Sequence, residues 1–547
     1  MPLSARIKVP IPETGVIVSH DPKRPYVYKV LKTYRNAKGQ PTNDRRSIGR
    51  LDAATGLLVP NDYYWQAYPG PAVETLPEPD AIRSIGASFL VARVLAALGV
   101  AGILEDAFGA ERAGALLDVA CYMARRGNVI EGIADWCETS TLKGTQTLTG
   151  QSASRLFASV THAEKMAFFR AWAALQKGPA YLAYDVTSVS TYSEGVGDAE
   201  WGYNRDREAI PQVNLGCYLD QASGLPVFYV AYPGSITDKS HLPSMTAYNQ
   251  DLGVKDVTFV LDRGFASTAN VACLRGSRPR PHYILGVASR LKTARAAVER
   301  VRAGITEMGN RLPGGVYGQA VKGRFLDAPG TLHVYFSPAL CEERRDELAR
   351  KIGREAEQLA RLDQLTEQEA KRHSAHFKVN LAGDGSFTSE PDAAKIAAAA
   401  RDTGFFCLLT DTGLATAEVL EVYRRRDVIE KAFDDLKNCV DMKRLRTHRD
   451  ETTDGKLFSA FIALIACSQI QAKAIPALKK SKQSVSKRGV LAEMHKIKVV
   501  DASSGRRLIN PATKTQRQIL EALSLTEADL KSYAAGGRPP TPHVYVT

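Results

Sequence analysis

Tyr423, Arg426, Glu430 and Lys437 stand at offsets of 0, 3, 7 and 14 along one stretch of the chain. At about 100° per residue they fall within an arc of about 60° on a single helix. A face with two cations, a phenol and one carboxylate suits a phosphate-rich ligand and a divalent ion. Arg and Lys would hold phosphates, and the carboxylate would hold the metal. The plainer reading is an exposed i,i+4 pair between Arg426 and Glu430. The helical wheel does not single out Glu430, since Asp427 and Asp434 lie within about 60° of it.

Two more carboxylates have suggestive settings. Asp185 lies inside AYLAYDVTSV, an apolar, β-branched run where a carboxylate is costly to bury unless paired or bound to metal. Asp262 closes the strand-like DVTFVL and opens the turn DRGF, a place for a metal ligand and equally for a helix cap. Three carboxylates from two strands and one helix would supply the hard oxygen donors Mg²⁺ requires. Two such ions can clamp the attacking and leaving oxygens of a phosphoryl transfer. Elsewhere, Asp238 reads as the N-cap of the helix after PGSIT, with a catalytic role as the lesser alternative, Asp206 and Glu208 as solvated, and His241 and His282 as isolated. No G-x-x-x-x-G-K-[ST] loop occurs, so no nucleotide cofactor is expected.

The elements that must position these residues are legible from periodicity. Residues 180–290 read as three strands, helix, strand, helix, strand, with a hairpin turning at Gly224 and a helix stopping at Gly253. FFCLLTD at 405–411 resumes the sheet and leads into the helix ATAEVLEVYRRRDVIEKAFDDLKN. Between them a Gly-rich stretch, a strand and one long charged helix from about Glu342 to Lys371 read as an insertion. That helix carries Leu348, Ile352, Leu359 and Leu362 on one stripe.

The boundaries drawn are 1–75 for a β-rich module, 76–178 for a helical domain that binds end DNA or equally serves as a packing scaffold, and 179–290 and 401–475 for two parts of an α/β core. The insertion spans 291–400, and 476–547 is a basic segment for DNA contact or multimerisation. Lys32, Arg35, Lys38, Arg45, Arg46 and Arg50 give the first module either a DNA-contacting or a solvated face. Lys plus Arg is 72 against 59 Asp plus Glu, a formal net charge of +13. Beyond Met442 there are 19 basic and 8 acidic residues, so this last part carries most of that charge. A basic chain of this kind often meets a polyanion. The eight cysteines have no C-x-x-C spacing and read as reduced thiols of a cytoplasmic protein. No signal core or membrane span is expected, Phe458–Ile470 being short and read as a buried helix.

The segment Tyr423-x₂-Arg426-x₃-Glu430-x₆-Lys437 resembles the YREK signature of bacterial insertion-sequence DDE transposases. YDVTSV resembles the first-Asp motif of that group, PGSITDKSHL the stretch before the second, and VLDRGFAS the second-Asp motif. GYNRDREAIPQVNLG and RRSIGRLDAATGLLVPN are similar to it as well. The resemblance implies an RNase H-like mixed sheet interrupted by an insertion, with Asp185, Asp262 and Glu430 as catalytic metal ligands. Gaps of 77 and 168 residues between them suit that arrangement. The resemblance also selects Glu430 over Asp427 and Asp434, and gives Tyr423, Arg426 and Lys437 DNA contacts. It further implies Mg²⁺, with Mn²⁺ as a substitute, and double-stranded DNA, both terminal inverted repeats and target. The working form would be a homodimer or higher assembly. The other readings are an RNase H-like nuclease that cuts without joining, and a repurposed DNA-binding protein that no longer cuts.

Overall fold

The computed structural model describes residues 8–19, 21, 25–68, 79–142, 148–175, 181–253, 255–289, 291–481, 486–502 and 507–535. Residues 69–75 of the N-terminal module, and 482–485 and 536–547 of the basic segment, lie outside the described residues. The chain divides into two units, Met1–Ala81 with Asp501–Arg506, and Ile82–Val500 with Arg507–Thr547.

In the first unit β1 (Val16–Val18), β2 (Tyr26–Arg35), β3 (Pro41–Asp52) and β4 (Leu57–Pro60) form an antiparallel sheet in that order, followed by α1 (Asp62–Ala67). The β2–β3 turn closes on the Asn36 side chain, which accepts from the backbone N–H groups of Lys38 and Gln40. Val27, Ile48 and Leu58 make a small core. Lys32, Arg35, Lys38, Arg45, Arg46 and Arg50 are all exposed on this hairpin.

The chain continues through β5 (Pro79–Ser84) into α2 (Gly86–Ala97), α3 (Val100–Phe108), α4 (Ala110–Arg126), α5 (Ile133–Thr139), α6 (Gly150–Ala158) and α7 (His162–Leu175). Gly99 and Gly127 end α2 and α4 at positive φ, +79° and +88°, where other residues are strained. Arg112 of α4 ties down α7 through a two-pronged pair with Glu164, at 2.7 and 3.2 Å. The Arg112 guanidinium holds the Glu164 carboxyl at about 2. A carboxylate depressed in this way stabilises the fold above its ordinary pKa and loses that contribution as pH falls through about 2. Arg112→Gln should therefore cost about 1 kcal/mol at pH 7, the pair being partly screened by water. Urea titrations of both proteins should show the gap narrowing as the pH is lowered below about 4.

Next come β6 (Tyr181–Ser190), β7 (Gln212–Asp220), β8 (Pro226–Pro233), α8 (Asp238–Asp251), β9 (Thr258–Leu261), α9 (Thr268–Gly276) and β10 (His282–Val287), in the expected order. Gly224 and Gly253 take positive φ at the hairpin turn and after α8. Then follow α10 (Lys292–Arg302), β11 (Tyr317–Phe325), β12 (Ala328–Phe336), α11 (Pro338–Leu359), α12 (Glu367–His373), β13 (Phe377–Leu381), β14 (Phe387–Pro391), α13 (Ala393–Arg401) and β15 (Phe405–Thr410). An eight-stranded sheet runs in the order β11-β12-β15-β10-β9-β6-β7-β8. Its β6–β9 and β9–β10 pairs are parallel, and the rest are antiparallel. This is a mixed α/β, RNase H-like core, and the β11–β12 hairpin from residues 291–400 extends the same sheet.

The single charged helix expected over Glu342–Lys371 is instead two. Thr366 opens α12 with a reciprocal cap to Glu369, and Leu362 is exposed in the break. Leu359, Leu365, Ala370 and Phe377 pack into a separate small core under the β13–β14 hairpin, and that packing bends the chain. The expected helix from Ala415 to Asn438 is also two, α14 (Thr416–Arg424) and α15 (Asp427–Asn438).

Last come α16 (Asp450–Lys480), α17 (Lys487–His495), β16 (Lys498–Ala502), β17 (Arg507–Ile509), α18 (Lys514–Ala522) and α19 (Glu527–Ala534). By length and composition α16 could cross a membrane, yet Phe458–Cys467 is buried throughout, and the helix lies against α4 and α6.

Candidate active site

Register places the first two acids. In the parallel β6–β9 pair Tyr184 stands opposite Leu261, so the next residues, Asp185 and Asp262, come side by side. Asp185 is buried within β6, which continues to Ser190, and burial pushes its carboxyl pKa up against the opposing pull of Arg205 and Arg426. Its Oδ1 accepts from the Val186 N–H at 2.8 Å and from Arg205 at 3.3 Å, and its Oδ2 accepts from Arg426 at 3.3 Å. Asp262 stands just past the end of β9. Its Oδ1 caps the following turn by accepting from the Gly264 N–H at 2.7 Å, while Oδ2 lies 3.9 Å from Arg426 Nη2. The cap reading of this residue is thus realised by Oδ1, while Oδ2 faces the Arg426 guanidinium.

Glu430 lies in the first turn of α15, and its Oε1 accepts from Arg426 Nη2 at 3.2 Å. One guanidinium therefore reaches three carboxylates from two strands and a helix. The chain arrives there through a tight turn. Arg426 N–H donates to the Tyr423 carbonyl and Ile429 N–H to the Arg426 carbonyl, both at 3.1 Å, as i→i+3 bonds between α14 and α15. The uninterrupted helical face expected for Tyr423, Arg426, Glu430 and Lys437 is accordingly broken at Arg425–Arg426. Tyr423 is half-buried, with its phenol pKa raised by burial, and lines a groove with Asp262, Arg263 and Gly286. Lys437, at the other end of α15, pairs with Asp206 at 2.7 Å rather than with the three acids.

Several residues behave differently from expectation. Asp206 and Glu208 are ion-paired, Glu208 to Arg444 at 2.5 and 2.8 Å, because the loop after β6 folds back over α15 and the irregular segment beyond it. Thr237, not Asp238, holds the N-cap position of α8. Asp238 is the first helical residue, and its carboxylate accepts from Arg205 at 2.5 Å and from the Tyr232 hydroxyl at 3.2 Å. His241 stacks on Tyr232 at 3.6 Å, and His282 lies 3.3 Å from Asp411. Arg205, which joins Asp185 to Asp238, went unnoticed in the sequence. The signal for it was indirect: a buried Asp185 demands a cationic partner, but spacing does not say which.

Carboxylate oxygens are the right donors for Mg²⁺ or Mn²⁺. Among the described residues no three His, Cys, Asp or Glu already form a ligand set, and here Arg426 stands between the acids. The Glu430 side chain is 64% exposed, so it is free to turn from the arginine toward a metal. The donor set therefore fits such an ion in chemistry. All eight cysteines are free thiols, six of them buried.

Among solved structures, a piggyBac transposase in a synaptic complex with hairpin DNA is 11% identical. The overlay covers 78% of this chain and 76% of that one at a TM-score of 0.36, too loose to build on. No curated protein matches the chain. The family model described as "Transposase DDE domain" matches residues 176–466, from just before β6 through most of α16. That segment is more than half of the chain and contains all three acids, and the chain belongs to the DDE transposase family.

Proposed function

We propose that this protein is a transposase of the bacterial insertion-sequence group with the YREK signature. It binds the terminal inverted repeats of its element, cleaves at the ends and joins the 3′-hydroxyls to target DNA. The observation that carries this reading is the meeting of Asp185, Asp262 and Glu430 on the Arg426 guanidinium. These three acids hold the metal ions and are the catalytic residues. When bound, Mg²⁺ supplies activation of the attacking hydroxyl and charge stabilisation of the leaving oxygen.

The chain's own residues do the rest. Arg205 would stay on Asp185 when metal ions displace Arg426 from the three acids. Arg426, released from the acids, is left with a free guanidinium for a phosphate, and Lys437 and the Tyr423 hydroxyl contact the same strand. The helical domain at 76–178 holds end DNA, and the working form is a homodimer or larger assembly acting on DNA in the bacterial cytoplasm. The exposed cations of the β2–β3 hairpin add phosphate contacts. Changing Lys32 and Lys38 together to Ala should lower the slope of log affinity against log salt by about two, read by titrating DNA binding with KCl.

The test mixes purified protein with labelled DNA carrying the ends that flank its own gene, in Mg²⁺ or in EDTA. Cutting at the ends and joining in trans, with Mg²⁺ only, is the expected result. Cutting without joining would make the protein a nuclease, and binding without cutting a repurposed DNA-binding protein.

A further inference from the structure

Among the exposed rings that the mechanism above leaves unused, two stand close together in the sequence. Trp201 is 65% exposed and Tyr203 85% exposed, in the loop between β6 and β7. Rings of this size carry a large apolar area, and here two of them two residues apart turn it to water.

Local packing holds them out. Between them Gly202 is wedged against the turn after β8, where an added Cβ would lie 1.9 Å from the Gly234 carbonyl oxygen. On either side the loop is pinned: Glu200 and Gln212 exchange backbone bonds at 3.0 Å, and Gln212 Nε2 donates to the Tyr203 carbonyl at 2.9 Å. Asn204 Nδ2 donates to the Ser190 hydroxyl at 2.9 Å, and Arg205 N–H to the Ser188 hydroxyl at 3.2 Å.

The place matters as much as the exposure. Tyr203 lines one groove of about 520 Å³ with Asp185, Arg205, Asp238, Lys239 and Asp262. Of the five acids in this loop, Asp206 and Glu208 are paired with Lys437 and Arg444, and Glu194, Asp198 and Glu200 precede the rings. Lys239 is exposed on the same groove, and Arg207 is exposed in the same loop as the rings.

Exposed rings beside cations are the recognition chemistry of unpaired nucleic acid strands. In a duplex the base faces are covered by their neighbours, so a ring can stack only where a strand is open. We propose that Trp201 and Tyr203 form a stacking platform for unpaired bases of the DNA strand that passes the three carboxylates. Arg207 and Lys239 hold its phosphates. The platform rests on the function proposed above and adds to it a preference for DNA that is open next to the site of chemistry.

The experiment compares a blunt duplex of the element's end with the same duplex carrying a single-stranded extension of about ten thymidines with one 2-aminopurine. Binding by the full-length protein is measured in EDTA, so that nothing is cut. Wild type should bind the extended duplex about tenfold more tightly, and the 2-aminopurine emission should fall as it stacks. Trp201→Ala with Tyr203→Ala should abolish that preference and that quenching while keeping the affinity for blunt duplex. Trp201→Phe with Tyr203→Phe should retain both. Equal affinity of wild type for the two duplexes, or unchanged preference in the double Ala protein, overturns the platform alone. Failure of wild type to bind either duplex overturns the DNA-processing reading along with it.

Discussion

Glu430→Gln should lower Mg²⁺-dependent cleavage of the element's ends at least about a thousandfold, equivalent to about 4 kcal/mol of transition-state stabilisation. The side chain is mostly in water, and its contact is one bond to Arg426, so the amide should fold and bind DNA as wild type does within about threefold. What the amide lacks is the charge that a hard divalent ion requires. The neighbouring acids of α15 are the controls. Asp427 pairs with Lys431 at 2.8 Å, and Asp434 accepts from Asn438 at 2.6 Å, both away from Arg426. Asp427→Asn and Asp434→Asn should cut within about threefold of wild type. Single-turnover cleavage on labelled ends reads all three. Normal cutting by the Glu430→Gln protein, or loss of cutting in the Asp434→Asn protein, would move the third ligand off Glu430.

The largest effect on stability is expected from Gly455→Ala. Gly455 lies inside α16 where that helix crosses α6, and an added Cβ would sit 2.1 Å from the Phe157 carbonyl oxygen. Two opposing terms decide the outcome. Ala favours the helix by about 1 kcal/mol over Gly. The clash is with backbone, so the helices must part, and overpacking of this kind costs about 1–3 kcal/mol or more. Its size at 2.1 Å puts the expected net loss at about 2 kcal/mol, with a larger loss for Gly455→Val. Urea unfolding measures it. Greater stability of the Gly455→Ala protein would mean that α16 and α6 do not approach so closely.

The local elements were readable in the sequence because their causes are local. Short apolar runs rich in β-branched and aromatic residues mark β6 to β10, and glycines at 99, 127, 224 and 253 mark places where the backbone must take positive φ. The same logic put Asp185 within a strand and Asp262 at a strand end. Where neighbouring packing overrides periodicity, local reading failed. The helix expected over Glu342–Lys371 breaks because Leu365 and Phe377 need a shared core with Leu359. The helix through Arg425 and Arg426 breaks at a turn of i→i+3 bonds that no propensity signalled.

By itself, then, the sequence determined the order of strands and helices from β6 to β10 and named the acids that could do metal chemistry. Only the tertiary structure decided their partners. The β6–β9 register sets Asp185 beside Asp262 although 77 residues separate them. The break between α14 and α15 then lets Arg426 reach both acids as well as Glu430. Arg205 on Asp185, Lys437 on Asp206 and Arg444 on Glu208 likewise join residues that no periodicity links. The physical reason is that a buried or half-buried charge requires a counter-charge, and that requirement fixes the partner's type. Its address in the chain depends on how the sheet and helices pack.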